Sequence, residues 1–345
     1  MKIFSEGLQF IYYSSIKKNT DAGDEKKLKL ASATIPILYY EAAKEPLGII
    51  ITFTGFSVNG YKDKRMIAVS RAFQKLGYTV ISPQIKKIDQ LLIDPNSVLE
   101  IQEVISAIAK DEKLNPRRLK PAVFAPSYTA GMCALAIANL PHQIVSSLCL
   151  LGTYCSIEKS MKFVLSSTSE VDDYGMHILM KNFLSYAIDK QVDLSAIIQT
   201  AIEDNGFKRP IPALPRVMLQ ANPAATILYK QLIQDPSLRT NLLLKAWNNM
   251  PDASRWKEQL DVASHASKLA LPITIIHGKE DNVIASSESV SLYDLLKEKN
   301  KHLLLNLTSL LDHGDLKIGW NLIKEVFNLS KSINHFLLYT KSPLA

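Results

Sequence analysis

Short apolar runs without polar alternation recur along the first half of the chain, and between them apolar positions return at helical spacing. Leu47–Phe53 (LGIIITF) is β-branched and apolar throughout, as expected for a strand buried on both faces. Over residues 62–76 the apolar positions Met66, Ile67, Val69, Phe73 and Leu76 predict an amphipathic helix, which Gly77 stops before a strand at Tyr78–Ser82. Asp94-Pro95-Asn96-Ser97 opens a further helix carrying Val98, Ile101, Val104, Ile105 and Ile108. Pro121–Ala125 reads as a strand, Thr129–Leu140 as an alanine-rich helix and Val145–Leu151 as another buried strand. Upstream, the polar residues 13–29 predict a loop or frayed arm, with strands near Leu28–Ser32 and Ile35–Tyr40.

Strands alternating with helices from residue 47 to 151 imply a mostly parallel sheet with helices on both faces. The rhythm breaks at Gly152. From about 155 to 268 the periodicity is helical, as at Met176–Ala187 and Leu194–Ile202, and prolines at 210, 212, 215, 223, 236 and 251 punctuate it. It then resumes: Leu271–Ile276 (LPITII) as a strand, Ser286–Lys297 as a helix, His302–Leu307 as a strand and Leu316–Leu329 as a closing helix. The expected organisation is therefore a core of residues 1–154 and 269–345, interrupted by a helical insertion over 155–268. A length of 345 residues suits a core plus an insertion.

Composition changes this picture little. Hydrophobic residues make up 47% and charged residues 21%, which suits a folded globular chain and argues against bulk disorder. The net charge of +7 is scattered, with no basic stripe interleaved with aromatics, so a nucleic-acid partner is not expected. Three cysteines, Cys133, Cys149 and Cys155, show no CxxC spacing, and two sit in apolar runs; a reducing compartment fits best. The N-terminal segment makes a poor signal peptide, and no run of 18 uncharged apolar residues occurs. The sequence thus predicts a soluble, cytoplasmic protein without an integral membrane segment.

Four segments carry candidate chemistry. Ala125-Pro126-Ser127-Tyr128-Thr129-Ala130-Gly131 places a serine between a buried strand and a helix, where a tight turn needs small flanking residues. Taken alone, the segment reads equally well as a serine capping a helix. His277-Gly278-Lys279-Glu280-Asp281 follows the strand LPITII and offers two acids, Glu280 and Asp281. Leu311-Asp312-His313-Gly314-Asp315 follows the strand at 302–307. Thr54-Gly55-Phe56 ends the strand LGIIITF.

In this order and placement the segments resemble the α/β-hydrolase superfamily, over about residues 28–151 and 269–335. The serine turn is similar to that family's nucleophile elbow, although alanine and threonine stand where G-x-S-x-G has glycines. The resemblance implies an α/β-hydrolase fold, with a mostly parallel central sheet flanked by helices and an inserted helical cap. It implies Ser127 as nucleophile, His313 as general base and Asp281, favoured over Glu280, as the acid that orients the imidazole. The backbone N–H groups of Phe56 and Tyr128 would form the oxyanion hole. His277, which ends a strand, is expected to be structural. The implied activity is that of a carboxylesterase- or lipase-like serine hydrolase, cleaving an ester or related acyl bond of a small molecule through an acyl-enzyme. No cofactor and no metal are implied. Serine at the elbow disfavours the epoxide-opening and dehalogenating relatives, which use aspartate. Two alternatives stay open: an acyltransferase with the same triad, as in homoserine acetyltransferase-like relatives, and a catalytically inactive binding protein of the same fold.

Overall fold

A computed structural model describes residues 5–15, 21–141, 144–166, 173–189, 191–311 and 323–341. The chain begins with helix α1 (Glu6–Ser15) and a hairpin of β1 (Asp24–Lys29) and β2 (Thr34–Tyr40). Then follow β3 (Ile49–Thr52), α2 (Lys64–Lys75), β4 (Thr79–Pro83), the single turn α3 (Lys86–Asp89), α4 (Asn96–Lys110), β5 (Ala122–Pro126), α5 (Ser127–Ala138) and β6 (Leu148–Leu151). Seven helices come next: α6 (Ile157–Ser166), α7 (Asp173–Phe183), α8 (Ser195–Gly206), α9 (Leu214–Gln220), α10 (Pro223–Gln234), α11 (Pro236–Asn249) and α12 (Ala253–Leu260). The sheet is completed by β7 (Ile273–Gly278), α13 (Ser286–Leu296) and β8 (Leu303–Thr308), and α14 (Ile323–Leu338) closes the chain.

One sheet of eight strands runs in the order β1-β2-β4-β3-β5-β6-β7-β8. From β4 to β8 every pairing is parallel, whereas β2 runs antiparallel to both of its neighbours. Alternate residues of the central strands feed two separate apolar layers. Ile49, Ile51, Val123, Ala125, Leu148, Leu150, Ile273 and Ile275 enter one layer, while Ile50, Ala122, Phe124, Cys149 and Ile276 enter the other. This double burial explains why the strands read as continuous apolar runs. The second layer is covered by α1, α2 and α14 through Phe10, Phe73 and Phe336. The first is covered by α4 and α5, and it continues without a break into the inserted helices through residues such as Met161, Phe183 and Trp247.

Helix α5 is the pivot between these parts. Every residue from Tyr128 to Ala138 is buried, because α5 packs against β5, β6, α4 and α12 at once. A helix enclosed on all sides must be apolar all round, and its alanines let those neighbours approach closely.

Three expectations need correction. Residues 13–29 are not one loop: α1 reaches Ser15, and the first strand is Asp24–Lys29 rather than Leu28–Ser32. Only Leu28 of DEKKLK is buried, because β1 is an edge strand whose charged side chains stay in water. Lys26 Nζ lies 3.5 Å from the Tyr39 ring centroid on the neighbouring strand. The closing helix runs on to Leu338 rather than ending at Leu329, with Ile333, Phe336 and Leu337 buried against the sheet; the expected start at Leu316 lies outside the described residues. Among the described residues no helix is long and apolar enough to cross a membrane.

Candidate active site

The parallel strands all present their C-terminal ends at one edge, where the segments around Gly55, Ser127 and Asp281 follow β3, β5 and β7. The chain connects β3 to β4 on one side and then crosses back to β5 on the other, so β3 and β5 flank the point where strand order reverses. Ligands of open α/β sheets bind at such a switch point. Ser127 directly follows β5, and Thr54-Gly55-Phe56 follows β3 beside it.

Ser127 adopts a left-handed backbone with φ of 56°, which costs a residue bearing a Cβ about 1–2 kcal/mol. Pro126 precedes it in an extended conformation, and α5 starts at Ser127 itself. Strand, left-handed serine and helix together make a sharp elbow. The surroundings are accordingly small. A Cβ on Gly55 would stand 3.3 Å from Ser127 Cβ, a tight contact, so the β3 loop lies close against the serine with little room for a side chain at residue 55. The Phe56 ring stacks on Tyr128 at 4.7 Å, which fixes the residue after Gly55 against the residue after Ser127. Tyr128 lies in the first turn of α5, where backbone N–H groups have no acceptor within the helix.

Asp281 is held in a different way. Only 7% exposed, it sits in the loop after β7, and its Oδ1 accepts hydrogen bonds from the N–H groups of Val283 and Ile284, both at 2.9 Å. Its other oxygen, Oδ2, lies 3.4 Å from His277 Nε2. A Cβ on Gly152, just past β6, would meet Oδ2 at 3.4 Å, and Gly152 has a φ of 62°. Glu280, the rival acid, is exposed. His277 is fully buried: Nε2 lies 2.8 Å from the Ile284 carbonyl oxygen, to which it donates, and Nδ1 lies 2.6 Å from Ser289 Oγ, from which it accepts. The imidazole thus ties both ends of the acid loop to α13, which agrees with a structural role for it.

His313 lies outside the described residues. The loop after β8 is described as far as Leu311, two residues earlier in the chain, and a Cβ on Gly278 would meet the Leu311 carbonyl oxygen at 2.5 Å. That loop therefore crosses the end of β7 three residues before Asp281. The described histidines 177, 265, 277, 302 and 335 are not among the residues lining the cavity beside Ser127. His177 bonds Tyr229, His302 bonds Tyr339 and His335 bonds Thr274, each through a ring nitrogen. Burial pushes the Cys155 thiol up to about 12, aided by the Glu288 charge, and burial alone raises Cys133 and Cys149 further. All three thiols stay protonated at neutral pH and make poor nucleophiles.

A cavity of about 80 Å³ opens beside Ser127. Phe56 and Tyr128 form its floor, α6 and α7 supply Ile157, Met161, Val164 and Ile178 as its roof, and Val283 and Ile284 close the side toward Asp281. The inserted helices therefore lie over the serine. Their entry is pinned by Glu288, whose buried carboxylate accepts the N–H groups of Cys155 at 3.0 Å and Ser156 at 2.7 Å. Three positioning features carried no signal in the sequence: Glu288, the left-handed Gly152, and Tyr154, whose ring lies against α5 at Gly131. Each depends on segments that meet only in three dimensions.

Neither a family model nor a curated protein matches the chain. Solved structures do. DcsB, solved in complex with a substrate analogue, superposes with a TM-score of 0.55 at 12% identity over 93% of this chain and 100% of that one. An esterase of Pyrococcus furiosus gives 0.52 at 11% identity over 93% of both chains. The acylaminoacyl peptidase of Pyrococcus horikoshii gives 0.50 at 11% identity over 93% of this chain, which spans only 42% of the length of that enzyme. At such identities the likeness speaks for the fold alone. The chain has the α/β-hydrolase fold, with a helical insertion between its sixth and seventh strands.

Proposed function

We propose that the protein is a serine hydrolase that cleaves a carboxylic ester or related acyl bond of a small molecule. The observation that carries this reading is Ser127, held left-handed at the switch point of the sheet with the β3 loop packed against it. A strained serine at the mouth of a covered cavity has no evident structural use, and strain of this kind concentrates at working sites.

In the proposed reaction His313 takes the proton of Ser127 Oγ as that oxygen attacks the substrate carbonyl. Asp281 accepts the imidazole Nδ1–H, which fixes the tautomer and stabilises the imidazolium. Its Oδ1 is already committed to two backbone N–H groups, so Oδ2 is the oxygen assigned to the histidine. The negative charge that develops on the carbonyl oxygen is met by the backbone N–H groups of Phe56 and Tyr128. His313 then protonates the leaving alcohol, and water, activated by the same imidazole, clears the acyl-enzyme. Residues 155–268 act as the cap: α6 and α7 exclude bulk water and bound the acyl pocket. A pocket this small favours short acyl groups.

A chain-length series of p-nitrophenyl esters tests the proposal, with Ser127→Ala as control. Turnover should be highest for short acyl chains and absent from the folded variant. Equal turnover by Ser127→Ala would refute the assignment. Competing alcohols in the same assay report whether the acyl group is passed to an acceptor other than water.

A further inference from the structure

The roof of the cavity beside Ser127 has a gap in it. Gly175, the third residue of α7, lines the cavity, and having no side chain it does so with its backbone. A Cβ built on it would stand 3.2 Å from Val283 Cγ1 and 3.9 Å from Val164 Cγ1. Both valines line the same cavity, Val164 from α6 and Val283 from the loop after β7. The space that a side chain at residue 175 would take therefore lies between two walls of the pocket. Gly175 and Val283 are both partly exposed, so a water-sized molecule reaches each of them.

The backbone does not ask for glycine at this position. Gly152 has a left-handed φ, whereas Gly175 does not. A helix prefers alanine to glycine, which loses more conformational freedom on folding. Nor do the described neighbours shut an alanine out. A Cβ would lie 2.1 Å from the Ser330 carbonyl oxygen at Gly7 and 2.3 Å from the Tyr154 ring at Gly131. At Gly175 the nearest described atom is the tip of a valine, which has to give by only a few tenths of an ångström. What glycine supplies here is room.

We propose that Gly175 is a specificity-determining residue, whose missing side chain leaves space between Val164 and Val283 for aliphatic carbons of the substrate's acyl group. The inference rests on the hydrolase reading above and names the residue that sets the largest acyl group the site accepts. Valine methyl groups face the space from both sides, so an aliphatic group is what fits it. The cavity measures about 80 Å³. A methyl group is roughly as large as a water molecule, whose share of liquid volume is about 30 Å³. One methyl at residue 175 therefore removes a large part of the pocket. A single methylene more or less in an apolar pocket changes selectivity by about 10–200-fold, so the loss is measurable.

The test compares kcat/KM for p-nitrophenyl butanoate and acetate in the unaltered protein, in Gly175→Ala, in Val164→Ala and in the double variant. The butanoate-to-acetate ratio should fall about tenfold in Gly175→Ala. Val164→Ala reopens the space from the facing wall, so the double variant should return to within threefold of the unaltered protein. Because the readout is a ratio within each variant, a general loss of folding or rate cancels. A glycine that served packing alone would change stability or overall rate and leave the ratio where it was. A fall of less than threefold in Gly175→Ala would overturn the assignment while leaving the hydrolase reading intact. So would a double variant no nearer the unaltered protein than Gly175→Ala. Should Gly175→Ala fail to fold, Val164→Ile fills the same space from the other side and should lower the ratio likewise; an unchanged ratio there would overturn the assignment. Should the unaltered protein turn over no ester, the hydrolase reading fails by itself, and ligand-detected NMR titration with acetamide and butanamide reads the gap without catalysis. Weaker binding of butanamide relative to acetamide in Gly175→Ala would support the gap; unchanged relative binding would overturn it.

Discussion

The loops after β5 and β7 place one candidate side chain each, by opposite means. Ser127 is placed by sterics. Its left-handed φ and the close approach of Gly55 take the chain through an elbow, and the backbone holds a conformation it would not choose alone. Asp281 is placed by hydrogen bonds. Two N–H groups hold one oxygen, and a fully buried histidine clamps the loop to α13. The first arrangement stores strain and the second stores stability. Substitutions at the two positions should therefore affect activity alike and stability in opposite directions.

The largest expected effect is on turnover. Ser127→Gly should lower kcat by about 10³-fold or more in the ester assay, because the proposed nucleophile is gone. Glycine takes a left-handed φ without penalty, so thermal unfolding should show stability unchanged or up to about 1 kcal/mol higher. Asp281→Ala should also lower kcat steeply, by about 10²–10⁴-fold. Here the Val283 and Ile284 N–H groups lose their acceptor, and urea unfolding should show a loss of about 1–3 kcal/mol. Matching stability changes in the two variants would break the contrast.

Smaller effects sharpen it. Gly131→Ala drives a methyl group into the Tyr154 ring and should cost about 1–3 kcal/mol of stability, read from the urea midpoint. It is a test of packing beneath the elbow rather than of the elbow itself. Ser289→Ala removes the donor to His277 Nδ1 and should cost about 1 kcal/mol in the same experiment. If the clamp orients the acid, that variant should also lose some kcat with little change in KM.

Much of this architecture is legible in the chain, for identifiable reasons. Strands buried on both faces leave unbroken apolar runs, so β3, β4, β5, β6 and β7 stand out, with ends that shift by a few residues. The charged strand β1 is invisible to the same logic, since an edge strand with one buried side chain carries no apolar pattern. The order of the serine, acid and histidine segments is a linear feature that survives the loss of both elbow glycines. The supports of the site leave no such trace. Glu288 reaches back to Cys155 and Ser156 across more than 130 positions, and Tyr154 finds its place only through Gly131. Nor does a short run such as Ser160-Met161 announce that it will line one cavity with Ser127, since helical periodicity reports a face and not the neighbour it meets.

The most direct test of the central claim is to treat the folded protein with a fluorophosphonate and map the adduct by mass spectrometry. The account predicts one phosphonate per chain, on Ser127, formed more slowly when a short-chain ester competes and absent from Ser127→Ala. A folded protein that takes up no label, or takes it up at another serine, would contradict it.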